Sequence, residues 1–367
     1  MIPAGDSYRI PDPLPWTALA GALAAAEDAT ARLDERLAKS PIREGFISRT
    51  HFLDARAALW REGELVHLEE LVLHDAGMDA RVPTFELTRA HAVLRARRRI
   101  TEAPSAWALS SAGLNILQGK ADHEGPVPDP PDSPEAPPAD DDIAFNQLLA
   151  SVDAANAKVT AALAGNAPPS HPSPGALNPL VYDPDCDETA QIDQWRDIVN
   201  QTRSLPPTLA AAIALAAWHS IAPLQHARWL GLLLTASLLR DRGKARHHLP
   251  CLHEGLKAIP RQRRLTSPAA DALAIQLEAI TAAAAAGLKD HDRWSNAHTL
   301  LRRKLANRRS TSRLPDLLDY VISRPLVSAE MIARHLCISS TAARDLINTF
   351  DLHEMTGRQR YRAWSIL

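Results

Sequence analysis

Between Val327 and Ile347 the chain reads VSAEMIARHLCISSTAARDLI. Few arrangements satisfy this spacing except two short helices joined by a tight turn, the second presented for recognition. Met331, Ile332 and Leu336 fall on one face and predict a first helix from Ser328 to Leu336, with Ala333 small enough for a second helix to pack close. Cys337-Ile338-Ser339 is the turn, and Ile338 plugs the angle between the helices. A hydroxyl can accept from the free amides of a first turn, so Ser339 or Ser340 is suited to cap the second helix. That helix is expected to reach about Phe350, with Ala343, Leu346 and Ile347 inward and Ser340, Thr341 and Arg344 outward. LHEMTGRQRYRAWSIL then reads as a strand, a tight turn at Gly357 and a second strand, the wing of a winged helix. Arg358, Arg360 and Arg362 alternate along that turn and second strand.

Charge supports the same end of the chain. The net charge is only −2, which excludes a protein coated in nucleic acid, but from residue 301 onward twelve Lys and Arg stand against six Asp and Glu. A local basic excess on a small module is the electrostatic footprint of a DNA-binding end. Asp345 beside Arg344 runs against that field and is expected to contact a neighbouring helix. Elsewhere alanine and leucine dominate while aromatics make up 5%, so the class is mainly α. Cys186, Cys251 and Cys337 have neither disulfide nor metal-ligand spacing, which fits a reducing compartment. The opening MIPAGDSYRIPDPLPW lacks the apolar run of a secretory leader, and LAAAIALAAW and WLGLLLTASLL are shorter than the roughly 20 residues of a membrane span. A cytoplasmic protein without membrane contact is expected.

In chain order, helices are predicted from about Trp16 to Lys39, Arg49 to Arg61 (ended by Gly63), and Leu65 to His74, with a fourth capped by Thr84. Arg95, Arg97, Arg98 and Arg99 at the end of the fourth read as a solvated helix terminus. The run DHEGPVPDPPDSPEAPPADDD is acidic and proline-rich and has too little apolar surface to order itself. Further helices are expected at about Ile143 to Leu163, then Glu188 to Arg203, Pro207 to Ser220, Leu224 to Arg242, Cys251 to Ile259, and Pro268 to Asn307 with a break near Gly287. The expected division is an N-terminal helical region at 1–121, a linker at 122–142, a central helical domain at 143–308 with a loop at 163–180, and a winged helix-turn-helix at 309–367.

Two resemblances extend this reading. RTHFLDARAALWREGELVHLEELVLHDAGMDARVPTFELTRAHAVLRARRRI and GLKDHDRWSNAHTLLRRKLANRRSTSRLPDLLDYVISRPLVSAEMIARHL resemble a bacterial family of uncharacterised proteins common on rhizobial plasmids. Its members pair a helical domain with a C-terminal helix-turn-helix, which implies DNA binding. More distantly the layout is similar to Fic proteins, helical enzymes that transfer AMP from ATP to a hydroxyl side chain, many of which also end in a winged helix. Their inhibitory helix motif, Ser or Thr, three residues, then Glu and Gly or Asn, is matched by Glu62 and Gly63, while Ala58 replaces the hydroxyl. Their catalytic HPFxDGNGRxGR has its counterpart in WHSIAPLQHARWLGLLLTASLL: Pro223 is kept, Ala222 stands where the catalytic histidine would be, and the glycine-rich loop shrinks to about His226-Ala227-Arg228. Alanine cannot accept the proton of an attacking hydroxyl, and without the glycine nest a triphosphate has no cradle. The resemblance therefore implies a Fic-like helical bundle without catalysis; retained nucleotidyl (AMP) transfer, with His219 one turn earlier as a substitute base, is the alternative.

The remaining candidates read as structural. His67 and His74 lie seven residues apart around Glu70, too far for a helical zinc pair, and belong to a helix face. His247 and His248 read as surface, Asp290, His291 and Asp292 as a hydrogen-bonded corner, and Trp60, Trp195, Trp218, Trp229 and Trp294 as core. No metal or cofactor is expected. The function that follows is a DNA-binding transcriptional regulator in which Ser339, Ser340, Thr341 and Arg344 meet the groove of duplex DNA and Arg358, Arg360 and Arg362 grip the backbone or minor groove. A homodimer is expected, and an adaptor or antitoxin-like partner of another protein is the further alternative.

Overall fold

The computed structural model describes residues 8–79, 82–119, 187–266, 269–305, 313–356 and 362–366. The N-terminal part supplies α1 (Trp16–Ala38), α2 (Arg43–Glu62), α3 (Leu68–Asp75), α4 (Phe85–Glu102), a 3-10 turn and α5 (Ser111–Leu117). The central part supplies α6 (Glu188–Gln201), α7 (Pro207–Ile221), α8 (Leu230–Asp241), α9 (Leu252–Lys257), α10 (Arg261–Thr266) and the 37-residue α11 (Ala269–Leu305). The chain ends in α12 (Leu314–Ser323), β1 (Val327–Ser328), α13 (Ala329–Leu336), α14 (Ser340–Phe350), β2 (His353–Glu354) and β3 (Ala363–Ser365). The fold is mainly α, with a single small sheet among the described residues. The acidic run at 122–142, the helix expected at 143–163 and the loop at 163–180 lie outside the described residues, as does the boundary expected near residue 309.

α11 is the axis. α1, α7, α9 and α12 all pack against it, while α2 packs on α4, α9 and α12. No break occurs at Gly287, contrary to expectation, because that glycine serves packing: a Cβ there would sit 2.7 Å from Leu33 of α1. Gly255 does the same for α9, where a Cβ would come within 2.2 Å of the Ala279 carbonyl. By length and composition the segment Asp271–Leu305 is apolar enough to cross a bilayer, which the sequence reading did not anticipate. In this fold Leu273, Ile275, Leu277 and Ile280 are buried in the protein core instead.

Other boundaries shift for local reasons. α2 starts at Arg43, since Ser40 Oγ accepts from Ile42 N at 3.2 Å and turns the chain into the helix. α3 starts at Leu68; Leu65 before it is 78% exposed. α8 starts only at Leu230, because residues 222–229 form a loop held by Trp218, whose indole donates to the Arg228 carbonyl at 3.2 Å. Trp195, Trp218, Trp229 and Trp294 are buried, but Trp60 is exposed, with Lys257 5.4 Å from its ring.

The apolar core has two parts. One joins the body helices and also takes in Leu326, Met331 and Ala363 of the C-terminal module. The other gathers Leu33, Phe46 and Trp294 from α1, α2 and α11 with Leu317, Val321, Ile332 and Ile347 of the C-terminal helices. The winged helix thus completes its own core with side chains of the body.

Polar pins reinforce both parts. Asp54 in α2 is fully buried and accepts from Arg97 Nη1 at 2.6 Å, from His253 Nδ1 at 2.9 Å, and from the amides of His253 and Glu254 at 3.0 and 3.2 Å. Burial alone would raise its carboxyl; the charges of Arg97 and His253 and these hydrogen bonds outweigh it and hold the group at about 2. Arg97 also donates to the Leu249 carbonyl at 3.0 Å. The arginine cluster is therefore no solvated helix end: Arg97 has no exposed surface, Arg98 grips Asp75 at 2.5 and 2.9 Å, and Arg99 lies 5.5 Å from the Trp107 ring. Nor do the paired histidines stand free at the surface. His248 is buried, and His247 donates its backbone N–H to Asp34 at 2.8 Å, with its ring on the same carboxylate at 2.9 Å.

Arg97→Met leaves Asp54 buried with one cation fewer, and the expected loss is about 3–5 kcal/mol of unfolding free energy, read from urea titrations. Because the folded Asp54 carboxyl lies below its unfolded value near 3.9, its contribution is complete above about pH 4 and is lost as pH falls toward about 2. Asp54→Asn is expected to be less stable at neutral pH and flatter across that acid window, measured by denaturation at stepped pH. Parallel acid slopes for both proteins would assign the window to other carboxylates.

Candidate nucleic-acid interface

The helix-turn-helix is assembled from local caps. Ser328 Oγ accepts from Met331 N at 3.1 Å and opens α13. Cys337 closes α13 in the left-handed conformation at φ 53, and Ile338 N reaches back to the Ala333 carbonyl at 3.0 Å. Ser339, not Ser340, caps α14: its Oγ accepts from Ala342 N at 3.2 Å. Asp351, left-handed at φ 56, ends α14 and sends the chain into β2. β3 returns between β2 and β1, with Trp364 opposite both Val327 and Glu354. The sequence announced a two-stranded wing; the residues entering α13 add a third strand.

Met331, Ile332 and Leu336 of α13 and Ala343 and Ile347 of α14 are buried, with Leu346 half-buried beside them. Ser340, Thr341 and Arg344 are exposed on the outer side of α14. Ser339 is exposed too, but its hydroxyl already serves the cap. Arg344 and Arg362 line one groove of about 660 Å³ between α14 and the wing. Arg344 makes no ion pair within the described residues, whereas Arg362 pairs with Glu354 and lies 5.4 Å from the Trp364 ring. Gly357, Arg358 and Arg360 lie outside the described residues. Asp345 is exposed, and its carboxylate makes no hydrogen bond or ion pair within the described residues.

Two polar groups of this groove escaped the sequence reading. Asn348 sits one turn beyond Arg344, and the i, i+4 spacing could have found it. Arg334 enters from α13, paired with Glu330 at 2.8 Å and donating to the Ala76 carbonyl at 3.3 Å. The opposite wall is the corner between α3 and α4, where Asp79 is held by the His74 ring at 2.9 and 3.0 Å. No amount of local pattern would place that corner against α14.

The module is fastened to the body by two buried charges. Arg49 of α2, 4% exposed, donates to the carbonyls of Val321 and Pro325 at 3.3 and 3.0 Å and stacks 5.0 Å from the Trp294 ring. Burial, with Arg293 nearby, lowers its guanidinium to about 9, which leaves it charged at neutral pH. Asp75 at the end of α3 takes Arg324 at 2.9 Å as well as Arg98. Burial would raise Asp75, but hydrogen bonds from His91 and Arg98 and the charges of Arg98 and Arg324 hold it well below the usual carboxylate range.

The other candidates take structural positions. His291 bonds Ser40 at 2.8 Å, and Asp292 pairs with Arg36. Among the described residues no three His, Cys, Asp or Glu side chains gather as metal ligands. In the segment compared with the Fic core, Ala222 ends α7 in a left-handed turn at φ 49, and His226 faces Glu188 at 3.6 Å.

Comparison with known proteins fits this anatomy. Residues 180–306 match the family described as a protein of unknown function (DUF1612), and residues 314–367 match an HTH DNA binding domain. The uncharacterized protein y4cF of Sinorhizobium fredii is 41% identical over 363 residues, covering 92% of this chain and 93% of the relative. At that identity and coverage the chain belongs to the family of this rhizobial protein, and within it carries a DUF1612 region followed by a C-terminal helix-turn-helix DNA-binding domain.

Proposed function

We propose that this protein is a cytoplasmic transcriptional regulator that binds duplex DNA through its winged helix and uses its helical body for dimerisation or partner sensing, without catalysis. The observation that carries the reading is the shared groove: Arg344 of α14 and Arg362 of the wing face one space, with Asn348 beside them and Ser340 and Thr341 exposed nearby. A guanidinium can bond a guanine edge bidentately, and Asn348 offers the amide that reads adenine, while a wing arginine suits phosphate. Ala222 supports a body without catalysis, since the position compared with the Fic base holds no proton acceptor. One such module makes a small interface, so a homodimer on half-sites about 34 Å apart is the expected assembly.

The test is binding of the full chain to DNA from its own upstream region across a salt series. Arg344→Ala is expected to cost about 1–3 kcal/mol at the specific site and to relax sequence preference there. Arg362→Ala is expected to weaken all sequences alike and reduce the slope of log affinity against log salt by about 0.9. Binding no tighter than about 0.1 mM, the weak end of non-specific association, and indifferent to both substitutions would overturn the reading and turn attention to a protein partner.

A further inference from the structure

Far along the chain from the winged helix, three cationic or proton-binding side chains lie near one another, and among the described residues none of them forms an ion pair with a carboxylate. Arg61 comes from the last turn of α2, His219 from the last turn of α7, and Arg264 from α10. Arg61 Nη2 lies 3.5 Å from His219 Nε2. A guanidinium can only donate, so that ring nitrogen accepts and the imidazole stays neutral. The Nε atoms of Arg61 and of Arg264 are both buried and have no hydrogen-bond partner.

Several other arginines among the described residues have oxygen acceptors. Arg97 and Arg98 have carboxylates, Arg240 has the carbonyl of Ile100 at 2.6 Å, and Arg242 has that of Thr202 at 2.6 Å. Even Arg263, next to Arg264 on the exposed side of the same short helix, pairs with Glu278 at 2.8 and 3.1 Å. Glu62, adjoining Arg61, is taken by Arg89. Burial, and then the charge of Arg264, lowers the Arg61 guanidinium to about 10; burial, and then Arg261, lowers that of Arg264. Like charges held together in partial burial cost stability unless an anion sits between them.

We propose that Arg61, Arg264 and His219 form a binding site for a small phosphorylated ligand. A phosphate group offers several acceptor oxygens to the Nη groups of two guanidinium forks, and the neutral imidazole can turn its remaining N–H to another oxygen. The donors come from three helices, with Arg61 and His219 in contact and the charge of Arg264 felt by both, which suits a single anionic group rather than a phosphodiester strand, which needs a stripe of cations. The site stands apart from the winged helix and does not depend on the DNA-binding reading.

Calorimetric titration of the full chain with inorganic phosphate and with pyrophosphate, at ionic strength held constant with chloride, tests the site. Saturable binding of either anion is expected in the wild type. Arg61→Gln and Arg264→Gln are each expected to weaken it by about tenfold or more, as loss of one partner of a charge-assisted pair does, while Arg263→Gln leaves it unchanged. An independent readout is the ligand-free melting temperature: Arg264→Gln removes the repulsion and is expected to raise it. Absence of saturable binding up to about 10 mM, the weak side of ordinary ligand affinity, would overturn the proposal. So would an equal loss in Arg263→Gln, which would mean general surface charge, or an effect of Arg264→Gln on duplex DNA binding alone, which would make the cluster part of a nucleic-acid surface.

Discussion

The carboxylate of Asp54 is the point on which the body depends. It sits on α2 where α4, α9 and the loop before α9 meet, and it is the acceptor for a guanidinium, an imidazole and two backbone amides. A buried charge is tolerated only when its lone pairs are filled, and here they are. The arrangement also spends Arg97, which reaches on to the Leu249 carbonyl. Helices of this alanine-rich kind have smooth, interchangeable surfaces, and apolar contact alone would let them slide by a turn. A directional network at their crossing gives one register.

The DNA-binding module is joined to this body by the same physics. Arg49 plugs carbonyls at the end of α12, and Asp75 holds Arg324, so a cation of each partner enters the surface of the other. Around them the second apolar cluster mixes residues of α1, α2 and α11 with those of α12 to α14. The groove beside α14 is walled on one side by the corner after α3. α14, wing and body therefore share one surface around Arg344.

Much of the terminal module was legible because its signals are local. Met331, Ile332, Leu336, Ala343 and Ile347 fall at helical spacing, a serine stands at each cap, and the polar side of α14 follows by subtraction. The mainly α class was legible from composition. What the sequence concealed is tertiary. Arg97 and His248 look like surface residues because their partners, Asp54 and Asp34, lie 43 and 214 positions away. Gly287 looks like a helix break because the side chain it accommodates, Leu33, belongs to α1. Trp60 looks like core because hydrophobic spacing does not say which face of α2 remains uncovered. The convergence of Arg61, His219 and Arg264 leaves no trace in spacing, being made by three helices that meet only in the folded chain.

α11 runs as one continuous helix through both apolar clusters, from Leu273 and Leu277 in the first to Trp294 and Leu301 in the second. At 37 residues its axis is about 55 Å long. A rod of that length works as a lever: a tilt of about one degree at the body end displaces the other end by roughly 1 Å, the scale on which hydrogen bonds are made or lost. Gly255 of α9 rests directly on the Ala279 carbonyl of this helix, and Lys304 at its other end donates to the Phe350 carbonyl of α14 at 3.4 Å, so one continuous helix joins the packing of α9 to the end of the helix-turn-helix.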